Sequence, residues 1–436
     1  MIIIKNIFLC IIYTMDYSDI ESLFTEPSKL KKFCHKRWVE IHPVNTVYEN
    51  APIKYDCKTI QDKLVNYHDG YILLNVTVKN HHGDDGVSDL ANNADVAPKG
   101  SHSFIDRMIL EINNVEVENL HDVFLFTEMQ NQLEYSHDYG RIAKQFLYAQ
   151  DTTSGVTSSG HTTRKNLIPA VANNQTTFNV KIPLGYMSNF LRTIDFPLIN
   201  QLISLEVTYR QKNAVLGTNG ATVAGPQGDA LDVTINHSSL FLPIVELPMD
   251  ENAKLVNRLK SKSLKKKVIW NRMNNITLPN ELVADAESSH QIEPSVDGLR
   301  KLYVIPRTNF NYNQLTVDLH TAIELRNINI VIDSEDFYQQ NIKTQEEAYE
   351  LVAENFNNGG KDFNTGSLLD YTIFLKQNRF YVFDLSRQRV FESNPRKSQS
   401  VRFRCTPSAN CRLKFFIAQE KETIIDFVNP LNTKTV

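Results

Sequence analysis

The feature that most constrains the fold is a succession of strand, turn and helix that occurs twice in the 436 residues. In the first half, an alternating apolar pattern ends at Ile112 and a helical pattern begins after Asp122. In the second half, the same two features end at Ile332 and begin after Thr344. The strand ends are 220 positions apart (332 − 112) and the helix starts are 222 apart (344 − 122). Two features that repeat at nearly one offset predict two copies of one domain.

A tight hairpin is predicted where the first of these strands ends. Apolar residues alternate up to Ile112, the pair Asn113-Asn114 interrupts them, and the alternation resumes at Val115. Asn tolerates the positive φ that both central positions of a type I′ turn require. A two-residue loop also fixes the register of the strands. The predicted opposite pairs are Ile112 with Val115, Glu111 with Glu116, and Leu110 with Val117.

A short helix is predicted after each strand. We expect the side chain of Asp122 to cap the first helix, and Phe126, Met129 and Leu133 recur at helical spacing. In the second half, a Thr-x-x-Glu capping box is predicted to begin the helix. Thr344 and Glu347 are predicted to lie at the start of that helix and Gly359 at its end. Its predicted buried face consists of Ala348, Leu351 and Val352.

Many short alternating strands, with one helix in a long connection in each half, predict an all-β fold of two tandem eight-stranded jelly rolls, a double jelly roll. The predicted boundaries are 48–248 for the first jelly roll, 249–267 for a helical linker and 268–436 for the second. Within the linker, Asp250 is expected to cap a helix near 250–261.

Residues 1–47 are predicted to form an N-terminal arm that precedes the first strand. Its apolar residues 1–14 are interpreted as an upstream extension of the gene model, because Met15 begins an ordinary amino terminus. The formal net charge of −4 argues against wholesale coating of nucleic acid, although local basic runs remain. The run in the arm mixes basic and aromatic residues and is compatible with either phosphate contact or a solvated arm. Its basic residues are Lys29, Lys31, Lys32, Lys36 and Arg37.

A second basic run, 260–267, is interpreted as a solvated hinge in the linker. The five cysteines are too few for a disulfide scaffold, and their number is odd, so free thiols are expected. A bridge between Cys405 and Cys411, which flank a turn, stays open as an alternative.

The sequence lacks the motifs that carry common enzyme chemistry: a phosphate-binding loop, a His-Glu-x-x-His zinc helix and a nucleophile elbow. The neighbours His81 and His82 cannot bind one metal from a single strand, because their side chains point to opposite faces. Asp84 and Asp85 are compatible with a hard cation or with a solvated loop. We therefore expect no catalytic, cofactor-binding or metal-binding residues, no cofactor, no small-molecule substrate and no enzymatic activity.

Several segments, in their order and spacing, resemble one protein family. They are SHSFIDRMILEINNVEVEN, VKIPLGYMSNF with INQLISLEVTYR, VELPMDENAKLVNRLKSK at the linker, GLRKLYVIPRTN, and FYVFDLSRQ. Together they are similar to the double jelly-roll major capsid proteins of Polinton/Maverick elements, adintoviruses and related Polinton-like viruses. The resemblance covers the chain from about Pro52. Here Asn113-Asn114 stands where the family has Asn-Gly, and the loops 81–103 and 151–165 and residues 1–14 depart from its pattern.

The resemblance implies homotrimers that form pseudo-hexagonal capsomers of an icosahedral shell around double-stranded DNA. The implied partners are neighbouring capsomers, penton (single jelly-roll) and minor capsid proteins, and the genome through the basic arm. The implied location is the virion, assembled in the host cytoplasm or nucleus. If the arm ties capsomers together, deletion of residues 1–43 is expected to leave trimers soluble and impair assembly.

Two other functions remain open at this point. A carbohydrate- or ligand-binding jelly roll requires an exposed aromatic cluster or a set of metal ligands, and the sequence points to neither. A host-domesticated copy of a capsid gene is the third reading, against which the intact second barrel argues.

Overall fold

The computed structural model describes residues 35–45, 51–60, 63–80, 96–98, 100–136, 175–194, 196–210, 216–218, 231–247, 254, 257, 265–308, 323–356, 367–376, 378–386, 398–429 and 433–435. His81, His82, Asp84, Asp85 and the basic residues Lys29, Lys31 and Lys32 lie outside these ranges.

The first half folds into two antiparallel sheets that share a buried core. One sheet has the order β1 (His35–Ile41), β11 (Leu231–Glu246), β4 (Tyr71–Asn80) and β8 (Gln175–Pro183), and β3 (Leu64–Val65) also pairs with β11. The other has the order β2 (Pro52–Asp56), β9 (Ile203–Tyr209), β6 (Ile105–Ile112) and β7 (Val115–His121).

The second half repeats this topology. Its first sheet has the order β12 (Lys265–Thr277), β19 (Arg412–Asp426), β14 (Leu299–Arg307) and β17 (Tyr381–Asp384), and β20 (Lys434–Thr435) also pairs with β19. Its second has the order β13 (Ser288–Val296), β18 (Gln399–Pro407), β15 (Leu325–Ile332) and β16 (Glu335–Asp336). Eight principal strands in two sheets, occurring twice with one strand order, confirm the predicted double jelly roll.

Short elements occupy some of the connections. Two brief strands, β5 (Val96–Pro98) and β10 (Leu216–Thr218), pair with each other, and the single-turn helices are Lys58–Ile60 and Ser101–Phe104. The α-helices that lie wholly within the described ranges are α1 (Val123–Glu134), α2 (Leu184–Met187), α3 (Asn189–Thr193), α4 (Gln345–Ala353) and α5 (Tyr371–Lys376). In the part of the chain that the structure describes, no helix combines the length and apolar character of a membrane span.

The predicted internal repeat is seen in the structure at β6 and β15. Both strands are eight residues long, and both lead into a pair of residues with positive φ. The φ values are 53° at Asn113 and 64° at Asn114, and 50° at Asp333 and 78° at Ser334. Positive φ at both central positions is the signature of the type I′ turn, which suits a two-residue hairpin.

The register of the first hairpin differs from the prediction by one residue. Ile112 lies opposite Val115 and Glu111 opposite Glu116, as predicted, but Leu110 lies opposite Glu118 instead of Val117. Val117 is therefore the extra residue of a β-bulge. The bulge turns two consecutive side chains inward, because Val117 is 0% exposed and Glu118 only 1%.

The two principal helices begin where they were predicted, with different caps. At α4 the capping box of Thr344 and Glu347 is confirmed, Ala348 and Val352 are buried, and Leu351 is partly buried. The helix ends at Ala353, before Gly359, which lies outside the described residues. At α1 the prediction of a side-chain cap is wrong, since Asp122 makes no capping hydrogen bond.

The start of the first barrel also differs from the prediction. Residues 35–41, which were assigned to an arm that precedes the first strand, form β1 at the edge of the first sheet. Ile41 contributes to the core and is 6% exposed. Of the predicted linker helix, only Lys254 and Asn257 are described, and both are helical. The last three residues of the predicted linker, 265–267, belong to β12.

Candidate functional site

A largely buried ion pair connects the two barrels. Asp122 has left-handed backbone dihedrals (φ 52°, ψ 43°), which direct its carboxylate away from α1 and toward the second barrel. Lys414 Nζ lies 2.7 Å from Asp122 Oδ2, and Asn275 donates a hydrogen bond to the same oxygen. Lys414 is only 4% exposed. Burial lowers its pKa, and the Asp122 carboxylate opposes that change.

Aromatic side chains seal the junction beside this ion pair. Phe126 of α1 packs edge-on against Tyr303, with ring centroids 5.7 Å apart, and in a tilted arrangement against Phe416 at 5.5 Å. Phe190 of α3 meets Trp270 of β12 at 5.4 Å, also edge-on. Rings in these arrangements add to the stabilisation that burial alone provides. The two barrels therefore meet through a packed, partly charged core.

Further polar contacts cross the junction, and most of them are buried. The turn residue Asn113 donates to Thr433 Oγ1 at 2.9 Å. Gln201 donates to the carbonyl of Asp426 at 3.1 Å, and Arg272 reaches Glu116 at 3.1 Å across the more exposed edge. The β6–β7 hairpin of the first barrel thus contacts the second barrel directly, through its turn residue Asn113.

Glu118, buried by the β-bulge, holds the helical connection beside the junction. Its carboxylate accepts hydrogen bonds from Ser188 Oγ and from the backbone N–H of Asn189 at 3.1 Å. Asn189 in turn donates to the carbonyl of Asn271 in β12, at 3.1 Å. Burial raises the pKa of Glu118 to about 7, although the hydrogen bonds from Ser188 and from the backbone act to lower it.

Aromatic residues also gather on the exposed face of the first sheet. Trp38 of β1, 44% exposed, lies 5.1 Å from Tyr71, and Tyr71 stacks on Phe241 at 5.2 Å. Lys181 Nζ lies 4.1 Å above the Tyr71 ring. This exposed aromatic cluster could not be predicted from the sequence, because its residues come from three strands and lie far apart in the chain.

The two basic arm residues that the structure describes lie beside this face and already have carboxylate partners. Lys36 Nζ is 2.7 Å from Asp69, and Arg37 Nε is 3.5 Å from Glu246. Both pairs are exposed, and such pairs contribute little to stability. Lys36 and Arg37 are residues of strand β1 in the first barrel, because His35–Ile41 pair with β11.

The hinge lysines that the structure describes are also engaged. Lys265 lies 3.7 Å from Asp426, Lys267 lies 2.7 Å from Glu422, and Lys266 Nζ is 4.4 Å above the ring of Phe196. The interpretation of this run as a solvated hinge is wrong for these three residues, since they lie in β12.

A cluster of possible metal ligands lies next to the aromatic residues on the same face. Glu40, His42 and His237 each offer one ligand atom, and the three atoms lie within 4.8 Å of one another. Sequence reasoning missed this group because His237 lies 195 positions after His42 (237 − 42) and only the pairing of β1 with β11 brings them together.

The described cysteines have free thiols, as predicted. Cys57, Cys405 and Cys411 are buried and unbridged, so the alternative of a bridge between Cys405 and Cys411 is not realised. Burial raises the pKa of Cys411 to about 11 and that of Cys405 to about 12. Both thiols are therefore poor nucleophiles at neutral pH.

Comparison with known proteins identifies the fold. No family model matches the sequence, and no curated protein matches it. Among solved structures, the chain is similar to the crystal structure of the mavirus major capsid protein, with a TM-score of 0.57, 14% identity, and coverage of 92% of this chain and 90% of that one. It is also similar to the 3.5 Å cryo-EM structure of the Sputnik virophage, with a TM-score of 0.57, 12% identity, and coverage of 92% and 88%.

A quasi-atomic model of the PBCV-1 virus capsid gives a TM-score of 0.55 at 8% identity, with coverage of 92% of this chain and 96% of that one. At these identities the likeness concerns the fold. The chain has the double jelly-roll fold seen in viral major capsid proteins.

Proposed function

We propose that this chain is a major capsid protein that forms homotrimeric, pseudo-hexagonal capsomers of an icosahedral double-stranded DNA virus or virus-like element. The observation that carries the proposal is the presence of two barrels of one topology joined by a buried junction. A fixed pair of similar barrels gives each chain two near-equivalent corners, so three chains around a threefold axis present six. Such a hexagonal unit tiles flat facets, whereas a freely hinged pair of barrels does not.

The proposal includes the finer assignment to the Polinton, Maverick and adintovirus group, supported by the segments that resemble its capsid proteins. It also includes contacts with neighbouring capsomers, with penton and minor capsid proteins, and a structural rather than enzymatic role in the virion.

Mass measurement tests the proposed trimer. Three copies of a 50.0 kDa chain form a particle of roughly 150 kDa. Light scattering coupled to size-exclusion chromatography should give this mass across a dilution series. A stable monomer at micromolar concentration would remove the capsomer from consideration.

Genome contact is proposed for the arm residues that precede β1, Lys29, Lys31 and Lys32. DNA retention should fall in the double variant Lys31→Ala/Lys32→Ala and weaken steeply as salt rises, because phosphate contacts release counterions. The matched control Lys260→Ala/Lys262→Ala removes the same charge from the linker region. Equal retention by both variants would exclude the arm as the contact.

The exposed aromatic face favours a second candidate, a carbohydrate-binding jelly roll. Aromatic rings on an open sheet are suited to the apolar faces of sugars. A glycan array distinguishes the two functions. If the chain is a capsid protein only, no glycan on the array should bind it through Trp38. Glycan binding that is lost in Trp38→Ala, by a protein that stays monomeric, would favour the second candidate.

A further inference from the structure

We propose that Glu40, His42 and His237 form a binding site for one borderline divalent transition-metal ion, of which zinc is the example, on the exposed face of the first barrel. The inference concerns the barrel itself and does not depend on the proposed capsid function.

Strand pairing creates the site. Glu40 lies in β1 and His42 follows directly after its last residue, Ile41, and the spacing of two places both side chains on the same side of the sheet. Ile41 is paired with Leu240 of β11, and this register brings the end of β1 beside Ser239 and His237. A β-bulge between Ile235 and His237 adjusts the direction of the His237 side chain.

The donor atoms converge closely. Glu40 Oε1 lies 3.8 Å from His42 Nδ1 and 3.9 Å from His237 Nε2. In a tetrahedral zinc site with bonds of about 2.0–2.2 Å, ligand atoms are separated by about 3.3 Å. Glu40 Oε1 and each ring nitrogen therefore need to approach by roughly half an ångström, and the two imidazole nitrogens, which lie within 4.8 Å of each other, need to close as well. Side chains that are 41%, 67% and 53% exposed (Glu40, His42 and His237) have the rotational freedom to do so.

A buried hydroxyl positions one of the imidazoles. Ser239, only 1% exposed, has its Oγ 2.7 Å from His237 Nε2 and 3.4 Å from His42 Nδ1. The shorter contact holds the ring of His237 near Glu40. When an ion binds, the lone pair of Nε2 goes to the metal and the hydroxyl remains a neighbour of the site.

The ligand set determines the class of ion. Two imidazoles and one carboxylate suit zinc, nickel or copper, whereas calcium and magnesium take sets of oxygen ligands. Three protein ligands leave one position for water. Because the ligands come from both strands, a bound ion would tie the end of the edge strand β1 to β11.

This proposal departs from the sequence-based expectation that the chain has no metal-binding residues. The bound ion would have a structural role, because it would link two strands on an open sheet face. Stabilisation follows from mass action, since an ion that binds only the folded barrel raises its melting temperature in proportion to the logarithm of its concentration.

Titration of the full chain, after removal of metal by a chelator, tests the site. Calorimetry with zinc chloride should give one ion per chain, and cobalt should show the visible absorption of a tetrahedral complex. His42→Ala, His237→Ala and Glu40→Gln should each lower zinc affinity by roughly tenfold or more. The matched control His290→Ala, which removes a histidine of the second barrel, should bind as the parent does.

Circular dichroism of each variant establishes that it is folded, which the exposure of all three side chains favours. Two results would overturn the proposal. One is the absence of stoichiometric zinc binding by the folded parent chain at micromolar concentration. The other is an affinity that is the same in His42→Ala, His237→Ala and His290→Ala, because the ion would then be bound elsewhere.

Discussion

The ion pair between Asp122 and Lys414 illustrates how one residue can join the two barrels. Asp122 occupies a left-handed backbone position, and its carboxylate meets a lysine that is 4% exposed. Removing one partner of a buried pair is costly because the other charge stays desolvated. Asn tolerates the same backbone conformation, so Asp122→Asn removes the charge and leaves the backbone preference in place.

We expect Asp122→Asn to lower the free energy of unfolding by about 3 kcal/mol, measured as a shift in the urea midpoint at constant slope. Arg272→Met is the control, since it removes a half-exposed ion pair across the same junction and should cost less than about 1 kcal/mol. Equal losses in the two variants would mean that the buried pair does not stabilise the junction.

Glu118 gives the stability of the protein a distinct pH dependence. Burial raises its folded pKa from 4.5 to about 7, so the folded state binds a proton more tightly than the unfolded state does. The stabilisation that this tighter proton binding adds to the free energy of unfolding is therefore fully present below pH 4.5 and is lost as pH rises toward 7. In Glu118→Gln this loss is absent, because the amide does not ionise.

The stability of Glu118→Gln relative to the parent should accordingly increase by about 3 kcal/mol between roughly pH 5 and pH 8. Urea unfolding at several pH values measures the difference. The hydrogen bonds that Gln cannot replace change the free energy of unfolding by the same amount at every pH. The change of the stability difference with pH therefore reports the ionisation of Glu118 alone. Parallel pH profiles for the two proteins would show that Glu118 is ionised in the folded state throughout.

At the scale of elements, β1 decides where the first barrel begins. This edge strand pairs with β11 from His35 to Ile41 and inserts Ile41 into the core. The expectation that deletion of residues 1–43 leaves soluble trimers is therefore revised. That deletion removes a strand of the barrel and exposes the edge of β11 to unwanted pairing.

Two truncations separate the arm from the strand. Deletion of residues 1–34 should leave the melting temperature within about 2 °C of the parent. Deletion of residues 1–43 should lower it by about 10 °C or more, or yield insoluble protein, because a core residue and a complete edge of hydrogen bonds are lost. Identical melting temperatures for the two truncations would mean that β1 does not support the barrel.

The elements that the sequence predicted well are those with strong local periodicity. The alternation up to Ile112 and Ile332, the turn at Asn113-Asn114 and the capping box at Thr344 each depend on a few neighbouring residues. Strand β1 was not predicted from the sequence, because only one of its faces packs inward and its other face carries Trp38 and Glu40.

The features that sequence reasoning missed all depend on contacts between distant segments. The bulge at Val117 is needed because the partners of Glu118 lie 70 positions further on, at Ser188. Asp122 looked like a helix cap because the sequence does not reveal that Lys414 would approach it. The cluster of Glu40, His42 and His237 likewise depends on the register of β1 against β11.

At the scale of the whole molecule, two barrels of one strand order are fixed to each other by a buried junction. The Phe126, Phe190 and Asp122 contacts hold them at one relative orientation, which the proposed shell unit requires. A trimer of such chains has strict threefold and approximate sixfold symmetry.

Electron microscopy of the purified, full-length protein tests this claim most directly. Two-dimensional class averages of single particles should show hexagonal outlines with six lobes, and a three-dimensional reconstruction should place two jelly rolls of each chain around a threefold axis. Particles with two lobes, each the size of one jelly roll, would contradict the account, because they would show that the chain remains a monomer.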